Sequence, residues 1–412
     1  MTLSLSRLTG ITHPWKFIGE SLDDDKMECE LELTYDGKSA PCPECGVICP
    51  FHDRSAPQRW HHLSMCLYKT LVTCRLPRTK CPLHGVKTIA PEWAAPRGNF
   101  TLAFESMVIQ WLLIGKKQEG VAKMMGISDD RVRTIMTSAV DRGLFVRPEP
   151  QPEHLATDEK GYGKGHKYMT VFSDGGTGTV IDVIDGRDAE TTQKGLEKIV
   201  KPKALKLVKI CSIDMSKSFF KALRKACPNA KICFDRFHVS MHISKAIGNA
   251  RRQGVRELGA AGDEEGVQAL KGTLNALRRN PETRSAKDDE KFEAAMAASS
   301  TVATVWRHGE VLRKFWDKTP DKKADGFLRK WVNSAINSDI ACLRRVGKLV
   351  DSHFQGILDA KLEGKTNAIA ESLNSKIQEV RTIARGFKSF DRYRFNTLFY
   401  CGGLQLLPQK TR

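Results

Sequence analysis

The sequence predicts a mixed α/β protein built from several domains, and three observations lead to this class. Cysteine and histidine residues cluster with Pro and Gly before residue 95, which predicts a small module held by a metal ion. Apolar strand-like runs alternate with helical stretches between residues 153 and 240, as in α/β sheets. From there to about residue 360 the chain is charged and has a helical period, which predicts a large helical insertion.

Length and charge predict a modular protein with an anionic partner. The chain of 412 residues exceeds what one ordinary core holds, so we expect two or three domains. Lysine and arginine number 66 against 48 aspartates and glutamates, a net charge of +18 that favours binding to nucleic acid. The longest apolar stretch, 107–114, is too short to span a bilayer, and the N-terminus lacks a signal-peptide pattern. We therefore expect a cytoplasmic protein.

The first segment, residues 1–95, is predicted to hold a structural zinc ion. Two short motifs, CPECG and CPLHG, each place two ligands on a tight turn within reach of one ion. The four predicted ligands are Cys42, Cys45, Cys81 and His84. Three further residues could replace one of these ligands, namely Cys49, His52 and Cys74. Because four protein ligands leave no open position, we expect the ion to stabilise the fold and to take no part in catalysis.

The second segment, residues 96–147, is predicted to be a helix-turn-helix DNA-binding domain. Gly126 allows a sharp turn between two amphipathic helices, and Ser128 is a suitable N-cap for the second helix. The apolar face of the first helix is predicted to comprise Val121, Met124 and Met125, and that of the second Val132, Ile135 and Met136. Three residues near the start of the second helix are predicted to contact DNA, namely Arg131, Arg133 and Thr134.

Two aspartates and a late glutamate are predicted to meet at one edge of the α/β sheet. Asp158 lies in the strand-like run LATDE, and Asp214 ends the apolar strand LVKICSID, where α/β sheets build their sites. Glu371 lies in a later helix that packs one face on the core. Three such carboxylates can hold two Mg²⁺ ions, an arrangement suited to phosphodiester cleavage. For each acid taken alone, a solvated surface position is the alternative.

A second polar cluster follows the next strand, KICF. Asp235 and His238 are three residues apart at the opening of a helix, so they share one of its faces. They could hydrogen-bond each other or a phosphate, and a purely structural role is the alternative.

Several segments together resemble the bacterial insertion-sequence transposases of the ISL-three family. The matching text is CPECG, CPLHGVKTIAPEWA, TDEKGYGKGHKYMTVFSD, IDMSKSFFKAL, PNAKICFDRFHVSMHI, NAIAESLNSKIQ and RTIARGFKSFDRY. These segments follow the family's order from about residue 40 to 400. After the first aspartate the sequence departs from the family, because EKGYGKGH carries extra Lys and Gly where a shorter polar loop is usual.

The resemblance implies a DDE-type active site in an RNase H-like catalytic domain. The implied triad is Asp158, Asp214 and Glu371, with Asp235 and His238 as catalytic support. Two Mg²⁺ ions, or Mn²⁺ in their place, and a structural Zn²⁺ are the implied cofactors. The expected segments are a zinc module (1–95), a helix-turn-helix domain (96–147), the first part of the catalytic domain (148–240), a helical insertion (241–362) and the last part of the catalytic domain (363–412).

The resemblance also implies a function and its partners. We expect a DNA transposase, associated with the bacterial nucleoid, that binds the terminal inverted repeats of its own insertion sequence as a dimer or larger assembly. It would cleave those ends and join them to target DNA. A late run of basic residues is expected along the DNA path, namely Lys376, Arg381, Arg385, Lys388, Arg392 and Arg394. Trp306 is expected either to stack on a DNA base or to pack in the helical core. A zinc-containing regulator with an inactive catalytic domain and a structure-specific nuclease remain alternative functions.

Overall fold

The computed structural model of the chain describes residues 4–95, 98–115, 117–162, 167–364, 368–384, 386–387 and 389–408. The side chains of residues 368–371 lie outside this description. The chain divides into two compact units, one formed by 1–147 with 404–412 and the other by 148–403. In the part of the chain so described, no helix has the length and apolar character needed to cross a membrane.

The first unit opens with two small β-sheets. Its elements are α1 (Leu5–Thr9), β1 (Trp15–Asp23), β2 (Glu28–Tyr35), β3 (Ser39–Pro41), β4 (Ile48–Arg54), β5 (Gln58–His61), β6 (Lys69–Cys74), β7 (Pro77–Cys81) and β8 (Gly85–Thr88). One sheet has the strand order β1-β2-β6-β5 and the other β3-β4-β7-β8. The first sheet covers an aromatic core in which Trp93 packs edge-on against Trp15 and Trp60, with ring centroids 5.7 and 5.0 Å apart.

Three helices complete the first unit: α2 (Leu102–Gly115), α3 (Gln118–Met125) and α4 (Asp129–Val146). Gly126 ends α3 in the left-handed conformation, at φ 64°, and the Ser128 hydroxyl caps α4 by accepting the Arg131 N–H. The predicted apolar face of α3 is wrong at one position, because Met124 is 53% exposed and Ala122 is buried instead. The buried face centres on Val121 and Ala122, and the helical turn carries Met124 away from it.

The second unit is built on a five-stranded sheet. Its elements are β9 (His154–Gly161), β10 (Tyr168–Asp174), β11 (Thr179–Asp185), α5 (Ala189–Ile199), α6 (Pro202–Leu205), β12 (Ile210–Ile213), α7 (Lys217–Ala226) and β13 (Lys231–Phe234). The strand order is β11-β10-β9-β12-β13. The first three strands form an antiparallel meander, and β12 pairs in parallel with both β9 and β13. The α/β sheet predicted between residues 153 and 240 is therefore present.

A layer of helices follows the sheet. These helices are α8 (Arg236–Ala260), α9 (Glu264–Leu270), α10 (Leu274–Arg278), α11 (Ala286–Ala298), α12 (Ser300–Asp317), α13 (Asp321–Ile336), α14 (Ala341–Ser352) and α15 (Phe354–Leu362). Helix α11 begins at Ala286, where the Ser285 hydroxyl caps it by accepting the Asp288 N–H. The buried faces of these helices join the sheet in one continuous apolar core.

The described residues in the last part of the second unit form two helices. They are α16 (Ala368–Ile383) and α17 (Phe390–Cys401). In α17 the Arg394 guanidinium donates two hydrogen bonds to the Asp182 carboxylate of β11, at 2.7 and 2.8 Å. This bidentate pair holds α17 against the outer strand of the sheet.

Candidate functional site

Three aspartates stand level on neighbouring parallel strands, Asp158 within β9 and the other two directly after β12 and β13. The pairing of β12 with β9 puts Asp214 level with Asp158, because each lies two residues beyond the last paired position. The pairing of β12 with β13 puts Asp235 level with Asp214, one residue beyond the last pair. Since neighbouring strands are about 4.8 Å apart, the three backbone positions lie within two strand spacings. The sheet therefore gathers side chains that are far apart in sequence.

Side chains alternate between the two faces of β9, so the adjacent acids Asp158 and Glu159 lie on opposite faces. Lys160 lies on the same face as Asp158, and its ammonium is 2.7 Å from the Asp158 Oδ2 atom. The other carboxylate oxygen of Asp158 accepts the Glu159 N–H at 2.7 Å. The Glu159 side chain instead pairs with Arg187, at 2.8 Å. Asp158 is thus the acid that β9 turns toward the cleft described next, and Glu159 is not.

A narrow cleft at this edge of the sheet contains all three aspartates and His238. Its remaining lining residues are Ala156, Thr157, Val171, Ser173, Ser212, Ile213, Leu373 and Asn374. The last two belong to α16, so this helix reaches the cleft. Glu371, the third predicted carboxylate, precedes them by two and three residues on the same helix, but its side chain lies outside the described residues.

The electrostatics of the cleft centre on Asp214. Burial raises the pKa of Asp214 above its ordinary value, and the nearby Asp158 carboxylate raises it further. The Ser216 N–H, which donates to Asp214 at 2.9 Å, and the charge of His238 act in the opposite direction. Two carboxylates held in a partly buried cleft repel each other, and a divalent cation bound by both would relieve this repulsion. Carboxylate oxygens are also the donors that Mg²⁺ prefers.

The second polar cluster belongs to the same cleft. Asp235 is the N-cap of α8, and its carboxylate accepts the Phe237 N–H at 2.6 Å. His238 lies in the first turn of the helix and lines the cleft beside it. The residues of the sequence motif are therefore placed together with Asp158 and Asp214.

A second constellation lies in the first unit, where four predicted ligands converge. The ligand atoms of Cys42, Cys45, Cys81 and His84 all lie within 4.8 Å of one another. The Cys45 and Cys81 sulfurs are 3.7 Å apart, and His84 Nδ1 is 3.8 Å from the Cys42 sulfur and 3.6 Å from the Cys81 sulfur. Ideal tetrahedral bonds to zinc would separate two sulfurs by about 3.8 Å and a sulfur from a nitrogen by about 3.6 Å. The cluster has the dimensions of a tetrahedral zinc site.

The backbone around this cluster favours thiolates. N–H groups of Glu44 and Cys45 lower the pKa of the Cys42 thiol. Burial opposes ionisation of Cys81, but hydrogen bonds from the His84 and Leu83 N–H groups and from the neighbouring thiols outweigh it and lower its pKa to about 7. Thiolates are the forms that bind metal.

Of the three alternative ligands, Cys49 packs beside the cluster against Cys42 and Cys81, and the other two make contacts outside it. The Cys49 thiol donates to the Val47 carbonyl at 3.3 Å, and His52 Nδ1 lies 3.3 Å from the carboxylate of Asp53. Cys74 is buried in the core of the other sheet, and burial raises its pKa to about 12. Among the described residues, the group of ligand atoms that could hold a metal ion contains none of the three.

The predicted DNA contacts of α4 lie on its first two turns. The Arg131 side chain is exposed, with its guanidinium 5.5 Å from the Phe100 ring centroid. Arg133 pairs with Asp130, and the Thr134 hydroxyl donates to the Asp130 carbonyl at 2.9 Å. Arg131 is therefore the better placed of the two arginines to reach a partner.

The late basic residues have different surroundings. Lys376 and Arg392 are exposed and Arg381 is partly exposed, whereas Arg385 and Lys388 lie outside the described residues. Arg394 is a correction to the sequence prediction, because its guanidinium is engaged by Asp182 within the fold. Asp182 lies 212 residues away from Arg394 in sequence, so no local pattern could predict this ion pair.

The sequence prediction missed one residue that pairs with Asp158 and one that lines the cleft, and it left two roles open for Trp306. Lys160 follows Asp158 by two residues, so the strand period alone would have placed it on the same face. Asn374 follows Glu371 by three residues in α16 and lines the cleft. Trp306 is half-buried and packs edge-on against Phe292, with ring centroids 4.7 Å apart.

Comparison with known proteins places the chain in a family. A family model described as a transposase matches residues 155–397, which is more than half of the chain and includes the whole aspartate cleft. The chain belongs to the ISL3 family of transposases. A second model, described as the helix-turn-helix domain of transposase family ISL3, matches residues 89–140 of this transposase, the region that holds α2, α3 and most of α4. The resemblance inferred from the sequence is confirmed.

Individual relatives agree over most of the transposase. It is 24% identical over 375 residues to the transposase for insertion sequence element IS1557 of Mycobacterium tuberculosis, covering 84% of this chain and 82% of that protein. It is 23% identical over 369 residues to the transposase for insertion sequence element IS1001 of Bordetella parapertussis, covering 89% and 90%. The protein is therefore a DNA transposase, with a helix-turn-helix domain and a transposase domain in one mixed α/β chain.

Proposed function

We propose that the second unit is an RNase H-like catalytic domain of the DDE type, in which Asp158, Asp214 and Glu371 hold two Mg²⁺ ions. The observation that supports this most strongly is the level placement of Asp158 and Asp214 on neighbouring parallel strands. An antiparallel meander extended by parallel strands on its other side agrees with this fold. The path of α16 along the cleft, with Leu373 and Asn374 in its lining, puts the helix of Glu371 in reach.

The donor set fits hard divalent ions. Asp158 and Asp214 offer carboxylate oxygens in a cleft where burial disfavours their negative charge, as the raised pKa of Asp214 reflects. When bound, paired Mg²⁺ or Mn²⁺ ions would activate the attacking oxygen and stabilise the leaving oxygen of a phosphodiester.

The residues around the carboxylates have separate tasks in this proposal. Lys160 keeps the Asp158 carboxylate oriented through its 2.7 Å contact and supplies positive charge where a phosphate would approach. Asp235 fixes the start of α8 and thereby the position of His238 in the cleft. The His238 imidazole can donate a hydrogen bond to a phosphate oxygen or accept a proton from the attacking group.

The reaction we propose has two steps at one site. Water attacks the phosphorus at the element's end, an O–P bond forms, and the bond to the 3′ oxygen breaks, leaving a 3′-hydroxyl and a 5′-phosphate. That hydroxyl then attacks a phosphodiester of target DNA, and the displaced target 3′ oxygen takes up a proton. The first step consumes one water and the second exchanges one phosphodiester for another. No covalent bond to the protein forms.

The first unit recognises the DNA in this proposal. The helix-turn-helix binds the terminal inverted repeats, with Arg131, Arg133 and Thr134 facing the major groove. A structural Zn²⁺ held by the Cys/His cluster fixes the neighbouring strands. Because two ends have to be brought together, the active form would be a dimer or a larger assembly on DNA.

The segment boundaries stay part of the proposal. We place the zinc module at 1–95, the helix-turn-helix at 96–147 and the catalytic parts at 148–240 and from 363 onward, with the helical insertion at 241–362 between them. Residues 404–408 belong to the first compact unit, so the catalytic part would end near residue 403. We also retain four late basic residues as predicted DNA contacts, namely Lys376, Arg381, Arg385 and Lys388. Stacking of a DNA base on Trp306 remains a prediction as well.

One experiment tests the reaction. Purified protein is incubated with labelled element ends and a target plasmid, with Mg²⁺ or with EDTA. We expect cut and joined products with Mg²⁺ and neither with EDTA. Cutting without joining would support a nuclease instead, and binding without cutting would support a regulator with an inactive catalytic domain.

A further inference from the structure

A second concentration of charge lies in the helical layer of the second unit. A groove of about 650 Å³ opens between α8, α14 and the end of α9. All the charged residues of its lining are positive, namely Arg251, Arg252, Arg256, Lys271 and Arg345. We refer to these five residues as the basic groove. Because no carboxylate lies among them, these positive charges repel one another, and an anionic partner or solvent ions must balance them.

The cations of the basic groove lack ion pairs, unlike other arginines of the same layer. Arg279 pairs with Asp288 and Arg329 with Asp325. Within the described residues, none of the five groove cations has a carboxylate within salt-bridge distance. Arg251 donates to the Leu270 carbonyl at 3.1 Å, and its Nε atom is buried without a hydrogen-bond partner. Their charge is therefore available to an external anion.

The groove is also held in a fixed shape. Gly254 lies on α8 amid the groove arginines, and a Cβ there would meet the Ser299 Oγ at 2.8 Å and a Leu270 methyl at 2.9 Å. This close approach packs α8 against the end of α9 and the start of α12, directly beside Lys271. The backbone positions that carry the cations are thus set before any partner binds, which lowers the entropy cost of binding.

The lining favours a polyanionic backbone over a small ligand or a base. It contains no aromatic side chain on which a base could stack, and its uncharged residues are Asn249, Gln253, Val255, Ala341 and Cys342. Arg252 and Arg256 are one helical turn apart and exposed, and Arg345 faces them from α14. Separate cations along an open groove suit successive phosphates of a nucleic acid strand.

Helix α8 relates this groove to the aspartate cleft. It begins directly after Asp235 and runs without interruption to Ala260. At 1.5 Å per residue, Arg252 lies about 24 Å along the helix from the cleft. For a duplex that runs parallel to α8, this distance corresponds to about seven base pairs, at 3.4 Å per pair.

We propose that the basic groove is a second DNA-binding surface, which contacts the phosphate backbone of the duplex about seven base pairs from the cleaved bond. The binding part of this proposal requires only that the protein binds DNA. The distance rests on the proposed catalytic cleft.

Salt-dependent binding tests the surface without any cleavage. Full-length R252Q/R256Q/R345Q is compared with the matched control K194Q/K201Q/K209Q, which removes the same charge from exposed lysines that each pair with a glutamate. Affinity for a non-specific 30-base-pair duplex is measured by fluorescence anisotropy in EDTA over a range of KCl concentrations. Thermal unfolding of both variants checks that they fold as the parent does. A lysine triple variant, R252K/R256K/R345K, keeps the positive charge and checks that charge accounts for the effect.

We expect the groove variant to reduce the slope of log affinity against log salt by about 2.7, which is about 0.9 for each phosphate that the protein no longer neutralises. If counterion release accounts for the whole effect, the affinity at 0.1 M salt falls about 500-fold. The control and the lysine triple should keep the parental slope. A groove variant that folds normally and keeps the parental slope would overturn the proposal. If the groove variant keeps the parental slope but its sedimentation coefficient differs from that of the parent, the proposal is also overturned. That result would assign the groove to a contact between copies of the chain.

Ethylation interference then tests the distance. We expect modified phosphates about seven base pairs from the element's cut end to weaken binding of the parent but not of the groove variant. If the groove variant loses salt-dependent binding but the parent shows no interference at this position, the proposed distance is wrong and the proposed binding surface is still supported. This separates a failure of the proposed cleft from a failure of the groove.

Discussion

Replacing one ligand of the Cys/His cluster tests whether zinc holds the first unit together. We expect Cys81→Ser to abolish zinc binding, because a hydroxyl is a poor zinc ligand and three remaining ligands no longer close the tetrahedron. The parental site should bind one ion per chain. Its dimensions match a structural site, for which binding free energies of about 10 to 16 kcal/mol correspond to a Kd between roughly 50 nM and a few pM.

The reason for a large effect lies in the core of the second sheet. The buried apolar cluster beside β4 and β7 consists of Cys42, Cys49 and Cys81, with no branched or aromatic side chain among them. Three small side chains bury little apolar surface, so the free energy that orders these strands has to come largely from the metal. Without the ion we expect β3, β4, β7 and β8 to lose their order, while the five-stranded sheet of the second unit keeps its own.

The assay combines metal content with amide exchange. After dialysis against a chelator of moderate strength, zinc is counted by atomic absorption, and exchange is followed by mass spectrometry. We expect about one zinc in the parent and in the control Cys49→Ser, and below about 0.1 in Cys81→Ser, with rapid exchange confined to residues 39–54 and 77–88. Full zinc content in Cys81→Ser, or unchanged protection of β7 in the metal-free protein, would refute the reasoning.

Three further outcomes follow from individual contacts. Arg394→Gln should lower the free energy of unfolding by about 2 kcal/mol, measured by urea unfolding. This value lies between those of exposed and buried ion pairs, because the Arg394 and Asp182 side chains are 26% and 13% exposed. A change in the salt dependence of DNA binding would contradict a purely structural role for Arg394. Burial lowers the pKa of both His61 and His62 to about 4. The folded state therefore resists their protonation, and stability falls as pH drops from about 6.5 to 4, by roughly 3 kcal/mol for each histidine. Amide exchange of β5 should follow this fall, and His62→Gln should remove about half of it. Arg131→Ala should weaken binding to element ends by about 1 to 3 kcal/mol, or roughly 5- to 150-fold, and unchanged anisotropy titrations would remove Arg131 from the interface.

The sequence was most informative where chemistry and local geometry coincide. Both halves of the Cys/His cluster were visible because two ligands three positions apart, followed by glycine, have few other uses. Asp214 stood out because it directly follows an apolar strand, and the end of such a strand is where α/β sheets expose side chains. The cap at Ser128 was predictable for the same kind of reason, since it depends on its nearest neighbours alone.

Features that depend on distant pairing could not be read from the sequence. Asp158 and Asp214 come level only through the register of β9 with β12, which no local pattern fixes. The Asp182 partner of Arg394 lies in another element, so a basic residue predicted to face DNA has a structural contact instead. The exposure of Met124 has the same origin, because the helix packs by a different part of its surface than its apolar residues suggested.

The most direct test of the central claim is the cleavage rate of single carboxylate variants in Mg²⁺. Asp158→Asn, Asp214→Asn and Glu371→Gln are compared with Glu159→Gln, whose side chain lies on the opposite face of β9 and pairs with Arg187. We predict that each of the first three cleaves labelled element ends at least about 1,000-fold more slowly than the parent while binding them as tightly, and that Glu159→Gln retains the parental rate. Cleavage at the parental rate by Asp158→Asn or Asp214→Asn would contradict a shared metal site at this edge of the sheet.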